Sequence, residues 1–411
     1  MNIRAIATAL AATVVLPIGA AQAADLEVTH WWTSGGEAAA VSEFAKAFDA
    51  SGNKWVDGAI AGGGSTARPI MISRITGGDP MAATQFNHGR QAQELVEAGL
   101  MRDLTAVAEK GNWKDVIKPA SLLDSCTIDG KIYCVPVNIH SWQWLWLSNA
   151  AFEKAGVAVP TNWDEFVAAG PKLKEAGIQP LALGGQAWQA NGLFDTLLLA
   201  LGGKDLHEAV YVNKNGEAAA GPDVAKIFAA AAQARELSIG TNVQDWNQAT
   251  NMVITAKAGG QVMGDWAQGE FQIAGMQAGK DYSCLPGLGV SDYITTGGDA
   301  FYFPVLDDEE RSKAQDTLAE ILVAPETQVA FNLKKGSLPI RGDVDLASVN
   351  DCMQKGLDIV SKGNALTSTD QLLSADTQKQ KEDLMTEFFA STSMTPEAAQ
   401  ERFAEIISSA D

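Results

Sequence analysis

The chain has few basic residues, few cysteines and no long apolar segment beyond its first residues. Its 411 residues include 30 Lys and Arg against 50 Asp and Glu, which gives a formal net charge of −20. Nucleic acids and anionic membrane surfaces would repel such a chain, and an anionic ligand is disfavoured more weakly. No later stretch reaches the roughly 20 apolar residues that a membrane-spanning helix needs. The composition therefore favours a globular protein of two or more domains with neither kind of partner.

The first residues have the pattern of a secretory signal peptide. Arg4 precedes an apolar run from Ala5 to Ala20, and small residues at positions 21–23 precede Ala24. No cysteine stands just after the small residues, so nothing indicates a lipid anchor. We expect a signal peptide over residues 1–23 and a mature protein in the periplasm.

Only four cysteines are present, and in an exported protein cysteines usually pair. Cys126 and Cys134 flank a predicted hairpin that turns at Asp129-Gly130, so we predict a disulfide there. Cys284 and Cys352 remain as the second pair. A zinc site is the alternative, although CxxC spacing is missing and the four histidines are scattered.

The first third of the chain alternates predicted strands and helices. A strand at 26–30 precedes a helix in which Val41, Phe44, Ala45 and Phe48 share one face. The alternation predicts parallel sheets, whose loops at the carboxyl ends of the strands form a ligand crevice.

A second unit repeats this order. The loop at 62–65 is rich in glycine but lacks the lysine of a phosphate-binding loop, and it leads to a helix that stops at Gly77. Residues 82–86 form the next predicted strand, with Asn87 placed to cap a helix from Gly89.

The pattern changes after residue 138, where we place the first crossing between two lobes. Trp142, Trp144 and Trp146 alternate at strand spacing, and Thr161 is predicted to cap a helix by accepting from the backbone of Asp164. Further helices are predicted at 222–237, 246–258 and 309–323, and strands at 261–264 and near 301–304.

Several of the 11 tryptophans lie in predicted loops at strand or helix ends. These are Trp31 and Trp32 after the first strand, Trp246 before a helix, and Trp266 after a strand. Neighbouring side chains at a strand end point to opposite sides, so one core face cannot bury both Trp31 and Trp32. Core packing is the competing interpretation, but exposed indoles in a cleft suit the apolar face of a pyranose ring.

An ordered set of short segments resembles family 1 of the extracellular solute-binding proteins, and most closely the glucose/mannose-binding proteins of bacterial ABC importers. The segments are Trp31-Trp32 with Glu37, 77–80 leading to Gln85 and His88, 135–140, 161–166, 263–266, 298–300, and Phe331-Asn332 with 335–337. They are spread over most of the chain after residue 30.

The resemblance implies an α/β chain with a type II periplasmic-binding-protein fold, in which two discontinuous lobes around a hinge enclose a ligand cleft. We expect residues 24–138 with 298–338 to form the N-terminal lobe, and 139–297 with 339–411 the C-terminal lobe. No cofactor or metal is implied. The ligand contacts that the resemblance implies are Trp31, Trp32, Glu37, Gln85, Trp246, Trp266, Asp299 and Lys335, with Asn87 or His88 in a neighbouring polar position.

One departure from the family lies near the carboxyl terminus. The family has a histidine there that touches the sugar, whereas residues 364–371 contain none, so Asp370 or Gln371 is expected to recognise another hydroxyl pattern. His140, beside the first crossing, is interpreted as a hydrogen-bonded hinge residue rather than a catalytic base.

The leading hypothesis is therefore a periplasmic binding protein that closes over a glucose- or mannose-like monosaccharide and delivers it to an ABC permease. A monomer is expected, with a chemoreceptor as a possible second partner. A disaccharide, polyol, amino acid or polyamine remains open as the ligand. The alternative from another class is a secreted carbohydrate-cleaving enzyme that uses Glu37, Asp265 and Asp299, but no catalytic signature accompanies them.

Overall fold

The computed structural model describes residues 23–410, so the predicted signal peptide lies outside the described residues except for Ala23. None of the described helices combines the length and apolarity needed to cross a membrane. The strands are β1 Asp25–His30, β2 Lys54–Ala59, β3 Ala83–Asn87, β4 Thr127–Ile128, β5 Lys131–Ile132, β6 Cys134–Pro136, β7 Trp144–Ser148, β8 Gln179–Leu181, β9 Ala258–Val262, β10 Tyr282–Pro286, β11 Ile294–Thr295, β12 Asp299–Tyr302 and β13 Ala365–Leu366.

Helices fill most of the remaining chain. They are α1 Gly35–Ala50, α2 Gly64–Thr76, α3 Gln93–Glu97, α4 Thr105–Lys110, α5 Trp113–Val116, α6 Ser121–Asp124, α7 Asn149–Ala155, α8 Trp163–Glu175, α9 Ala187–His207, α10 Gly216–Ala219, α11 Pro222–Ser238, α12 Trp246–Ile254, α13 Ala267–Ile273, α14 Glu309–Val323, α15 Pro325–Lys335, α16 Asp351–Ser361, α17 Thr369–Leu372, α18 Ala375–Ala390 and α19 Pro396–Ser408.

The first sheet has the strand order β2-β1-β3-β12-β6. β1 pairs in parallel with β2 and β3, as the alternation of strands and helices predicted. β12 is antiparallel to both β3 and β6, so the sheet is mixed and only β1, β2 and β3 follow the predicted parallel pairing. Asn87, the last residue of β3, pairs with Asp299, the first of β12, because the chain enters β12 at the edge where β3 ends.

The second sheet has the order β10-β7-β9-β8 and is also mixed. β7 is antiparallel to β9 and β10, whereas β8 is parallel to β9. The two sheets lie in separate apolar cores, since Phe44, Phe86 and Phe301 belong to one cluster and Phe166 and Phe194 to another.

The strands of the first sheet come from residues before 137 and from 299–302, whereas those of the second come from 144–286. This order requires the chain to pass from one sheet to the other and back. The exact lobe boundaries at 138, 297 and 338 stay predictions.

Several predicted element ends are shifted. Helix α8 is capped by Asn162, whose Oδ1 accepts from the backbone N–H of Glu165 at 2.9 Å, and not by Thr161. The Thr161 hydroxyl instead donates to the Glu165 carboxylate at 2.9 Å, so the capping interaction starts one residue later than predicted. Asn87 does not cap a helix either, because its side-chain amide donates to Asp370 at 3.3 Å.

Other boundaries differ by a few residues. Strand β9 ends at Val262, strand β12 begins at Asp299, and helix α12 ends at Ile254. Trp142 precedes strand β7 and is not part of it. Buried Gly259 and Gly260 lie in β9, where a Cβ atom would come within 2.6 Å of Leu173 or 2.9 Å of Phe166, respectively.

Both predicted cysteine pairs form disulfides, Cys126 with Cys134 and Cys284 with Cys352. The first encloses the predicted hairpin, in which Asp129 and Gly130 both have positive φ between β4 and β5. Cys284 and Cys352 also lie near Asp351 in the one cluster of metal-ligand residues found in the described chain. Their sulfurs are joined to each other, so this cluster offers no thiolate pair.

Candidate functional site

A cavity of about 360 Å³ is lined by residues from both sheet-centred halves of the protein. This volume lies in the range of small-molecule pockets, about 300–1,000 Å³. Seven of the nine predicted ligand residues line it, namely Trp31, Trp32, Glu37, Trp246, Trp266, Asp299 and Lys335. Gln85 and His88 are buried and are not among the lining residues.

Trp31 and Trp32 follow strand β1 and face different environments, as their adjacent positions predicted. The Trp32 ring is 1% exposed and packs against Phe301 and Phe331, with ring centroids 5.7 Å and 5.2 Å away. Trp31 is half-buried, and the guanidinium of Arg68 lies 5.8 Å from its ring centroid. Trp32 therefore anchors the loop in the core, while Trp31 offers more of its ring to the cavity.

Asp299 is the centre of the buried polar network. Its Oδ1 accepts from the Gln85 amide at 2.7 Å, and its Oδ2 accepts from the Asn138 amide at 2.8 Å and lies 2.9 Å from Nε2 of His140. Burial alone would raise the pKa of Asp299, but the charges of His140 and Lys335 and these hydrogen bonds lower it well below its usual value. Asp299 is therefore an ionised acceptor at neutral pH.

His140 links this carboxylate to a second one. Its Nδ1 lies 2.6 Å from Oδ1 of Asp265, which follows strand β9 of the second sheet. Burial would lower the pKa of His140, but the charges of Asp265 and Asp299 outweigh burial and raise it above 6.5. His140 is hydrogen-bonded as predicted, and its role as a hinge residue stays a prediction.

Glu37 and Lys335 form a buried ion pair at the same side of the cavity, with 2.8 Å between Oε1 and Nζ. Glu37 also completes a capping box with Ser34 at the start of α1. Lys335 is the last residue of α15, where the helix dipole favours a cation, and Gly336 ends that helix with positive φ. Two helix ends thus bring opposite charges to one wall.

Gln85 and His88 are buried next to the cavity and form hydrogen bonds with residues around it. The Gln85 side chain accepts from the backbone N–H of Trp31 at 3.0 Å while it donates to Asp299, so it fixes both residues. Nδ1 of His88 lies 2.8 Å from the Ser125 hydroxyl and 2.7 Å from the Gln371 amide. Burial lowers the pKa of His88 to about 4, so the ring is neutral.

Three indoles form an aromatic wall on the second side of the cavity. Trp142 meets Trp266 edge to face at 4.8 Å and Trp188 at 5.4 Å, and all three rings line the cavity. Sequence analysis named only Trp266 among them as a ligand contact. Trp188 follows the Gly184-Gly185 loop after strand β8, so the strand-end argument that selected Trp266 applies to it equally.

Charged lining residues outside the predicted set lie on helices. They are Arg68 on α2, Asp195 on α9 and Glu382 on α18, and Asp245 caps α12. Asp370 lines the cavity as well, whereas Gln371 contacts His88 and is not among the lining residues. Of the two residues expected to replace the family's histidine, Asp370 therefore faces the cavity.

Comparison with known proteins identifies the family. Residues 32–304 match the bacterial extracellular solute-binding protein family. The chain belongs to this family. A "Probable sugar-binding periplasmic protein" of Brucella melitensis is 38% identical over 362 residues, which are 87% of this chain and 85% of the relative. As members of the family are solute-binding proteins, the chain is a binding protein and not an enzyme, which sets aside the carbohydrate-cleaving alternative.

Solved structures support the fold. A chitin oligosaccharide binding protein superposes with a TM-score of 0.77 at 20% identity, covering 93% of this chain and 98% of that chain. An ABC transporter solute-binding protein from Thermotoga lettingae bound with α-D-tagatose gives 0.75 at 19% identity, covering 94% and 99%. The fold is the type II periplasmic-binding-protein fold that the sequence resemblance implied.

Proposed function

We propose that this protein is the periplasmic sugar-binding component of an ABC importer, which captures a sugar between its lobes and delivers it to the membrane permease. The observation that carries the proposal is that one cavity is lined both by indole rings and by buried charged groups. Indoles suit the C–H face of a sugar ring, and carboxylate and ammonium groups suit its hydroxyls. The name of the Brucella melitensis relative supports the same ligand class.

Four of the predicted contacts have a defined role in this proposal. The Trp266 ring, edge to face with Trp142, stacks on the sugar. Asp299 accepts from one hydroxyl, while Lys335 donates to its neighbour and Glu37 accepts from another. These groups are already held by hydrogen bonds and ion pairs, so binding requires little further ordering of side chains.

Closure couples capture to delivery. Across the cleft, the backbone N–H of Gly36 donates to Oε1 of Glu270 at 2.8 Å, and the Gln186 amide lies 3.4 Å from the carbonyl oxygen of Gly62. A sugar that contacts both halves binds the closed form more tightly than the open form and so shifts the population toward closure. The permease then recognises the paired lobes, and a chemoreceptor can use the same signal. A monomer fits this role because both lobes must dock on another protein.

We further propose that one glucose- or mannose-like ring occupies the space beside Trp266, Asp299 and Lys335. Asp370 lies in the stretch where the family has a histidine. An ionised carboxylate only accepts hydrogen bonds from hydroxyls, whereas a neutral imidazole can donate one and accept one. The choice between glucose and mannose depends on this position.

Equilibrium dialysis of ligand-stripped protein against labelled glucose and mannose tests the proposal. We expect retention of about one equivalent of intact sugar. Chromatography of the released label checks that it is unchanged. Absence of retained glucose and mannose would contradict the proposed glucose- or mannose-like ring, and release of a cleaved or modified product would contradict the binding function.

A further inference from the structure

Apart from Asp195 and Asp245, the charged residues discussed above fall into two sets that differ in their partners. The inner set is Glu37, His140, Asp299 and Lys335, which are buried and bonded to one another or to neighbouring side chains. The outer set is Arg68, Asp370 and Glu382, which are half-buried. Both sets line the same cavity.

The outer set has few protein partners. Within the described chain, neither the Arg68 guanidinium nor the Glu382 carboxylate makes a hydrogen bond or an ion pair. Among the described residues, Asp370 accepts only from the Asn87 amide at 3.3 Å and the Gln378 amide at 3.5 Å. Burial raises the pKa of Asp370 and of Glu382, and the nearby Arg68 charge partly offsets that effect for both. The three charges therefore lie near one another without direct contact.

Unpartnered buried atoms lie in the same part of the lining. Asn191 is 8% exposed and Ser368 is 6% exposed, and neither Oδ1 of Asn191 nor Oγ of Ser368 has a hydrogen-bond partner among the described residues. Oε1 of Gln378 is also buried without a partner there. A buried polar atom without a partner costs about 1–3 kcal/mol, so these atoms indicate a ligand or ordered solvent.

These groups form a continuous surface. Asp195 accepts from the Asn191 amide and from the Thr369 hydroxyl, each at 3.4 Å, and its charge is balanced by buried Lys381 at 3.0 Å. Thr369 lies between Ser368 and Asp370 in the chain, and Gln378 bonds to Asp370. Three helices, α9, α17 and α18, thus present acceptors from one side, and α2 presents Arg68 from the other.

The mixed charges of this surface favour a neutral ligand whose groups both donate and accept hydrogen bonds. An ammonium group would be attracted by Asp370 and Glu382 but repelled by Arg68, and a carboxylate would be attracted by Arg68 but repelled by the two acidic residues. A hydroxyl donates one hydrogen bond and accepts others, so neighbouring hydroxyls can satisfy carboxylates and a guanidinium together. We propose that the outer set, with Asn191, Ser368 and Gln378, forms a second sugar-ring subsite in which Asp370 is shared with the first ring, and that the preferred ligand is a disaccharide.

This inference rests on the proposed function, since the inner set must hold the first ring. Isothermal titration calorimetry with glucose, mannose, maltose, cellobiose and mannobiose tests it. We expect at least one disaccharide to bind about tenfold or more tightly than its component monosaccharide, because hydrogen bonds to charged groups add appreciable affinity. Arg68→Ala and Glu382→Gln are each expected to remove most of that gain and to change monosaccharide affinity less than about twofold.

Asp383→Asn is the matched control, because Asp383 follows Glu382 on α18 but is exposed and paired with Lys379. It should leave both affinities unchanged, and a melting temperature for every variant checks folding. If every disaccharide binds no more tightly than its component monosaccharide, the second subsite is overturned. The proposed function still holds in that case if a monosaccharide binds. An equal loss of monosaccharide and disaccharide affinity in Arg68→Ala and Glu382→Gln would also overturn it. Absence of binding by every sugar would count against the proposed function itself.

Discussion

The imidazole of His140 lies between two carboxylates that belong to different sheets, with Nδ1 2.6 Å from Asp265 and Nε2 2.9 Å from Asp299. Asp299 begins strand β12 of the first sheet, and Asp265 follows strand β9 of the second. A protonated ring can donate to both oxygens at once, whereas a neutral ring can donate to only one. The charge state of His140 therefore controls a connection between the two halves of the protein.

This connection predicts a pH-dependent contribution to stability. Because the folded-state pKa of His140 is raised above 6.5, the stabilisation is fully present below pH 6.5 and is lost as pH rises through the folded-state pKa. Urea unfolding of the wild type and His140→Gln should show a free-energy difference that shrinks as pH increases. His30 and His207 are common to both proteins, whereas the pKa of His88 depends partly on the His140 charge, so the comparison is made above pH 6.5. A difference independent of pH would contradict the charged link.

His88 predicts the opposite pH dependence. Its pKa falls from 6.5 to about 4 on burial, so the folded protein loses stability as pH decreases through this window. The loss reaches about 3 kcal/mol near pH 4, since one pKa unit corresponds to about 1.4 kcal/mol. His88→Asn keeps an acceptor for Ser125 but cannot titrate, so its unfolding free energy should vary less between pH 6.5 and 4. Equal slopes for the two proteins would show that His88 is not held neutral.

The Glu37–Lys335 pair predicts strong coupling in a double-mutant cycle. Removing one partner leaves an uncompensated buried charge, so Lys335→Met is expected to cost about 3–5 kcal/mol in unfolding free energy. The double variant Glu37→Gln/Lys335→Met should cost less than Lys335→Met alone. Lys226→Met, which removes an exposed pair with Asp223, is the control and should change stability by less than about 1 kcal/mol. Additive costs at Glu37 and Lys335 would contradict the buried pair.

The two disulfides are expected to differ in their contribution to stability. Cys284 and Cys352 are 68 residues apart, whereas Cys126 and Cys134 are separated by 8. Loop-closure entropy then predicts a loss of about 4 kcal/mol for Cys284→Ser/Cys352→Ser and about 2.5 kcal/mol for Cys126→Ser/Cys134→Ser. Denaturant unfolding of both double variants measures the difference. A larger loss for the short loop would mean that local packing outweighs chain entropy.

Much of the fold follows from local patterns in the sequence. Val41, Phe44 and Phe48 share the buried face of α1, and the Asp129-Gly130 turn joins β4 to β5, as predicted. The antiparallel position of β12 did not follow, because strand direction depends on where a distant part of the chain enters the sheet. Thr161 and Asn162 are both good helix caps, so only the backbone conformation decides between them.

The site was predictable where its residues follow strands or match the family segments. Trp31, Trp266 and Asp299 are of this kind, and all three line the cavity. Arg68 and Glu382 were not predicted, because a charged residue on an amphipathic helix has the same local pattern whether it faces solvent or a cavity. Their position depends on the packing of α2 and α18 around the cleft.

A thermal-shift screen of ligand-stripped protein tests the central claim most directly. The panel holds monosaccharides, disaccharides, polyols, amino acids and polyamines, each also tested with Trp266→Ala and with Trp266→Tyr, which keeps a flat ring. A ligand at 100 times its dissociation constant stabilises by about 2.7 kcal/mol, which is easily measured as a shift in melting temperature. We predict shifts confined to a few sugars, lost in Trp266→Ala and partly kept in Trp266→Tyr. Stabilisation by amino acids or polyamines and by no sugar would contradict the account.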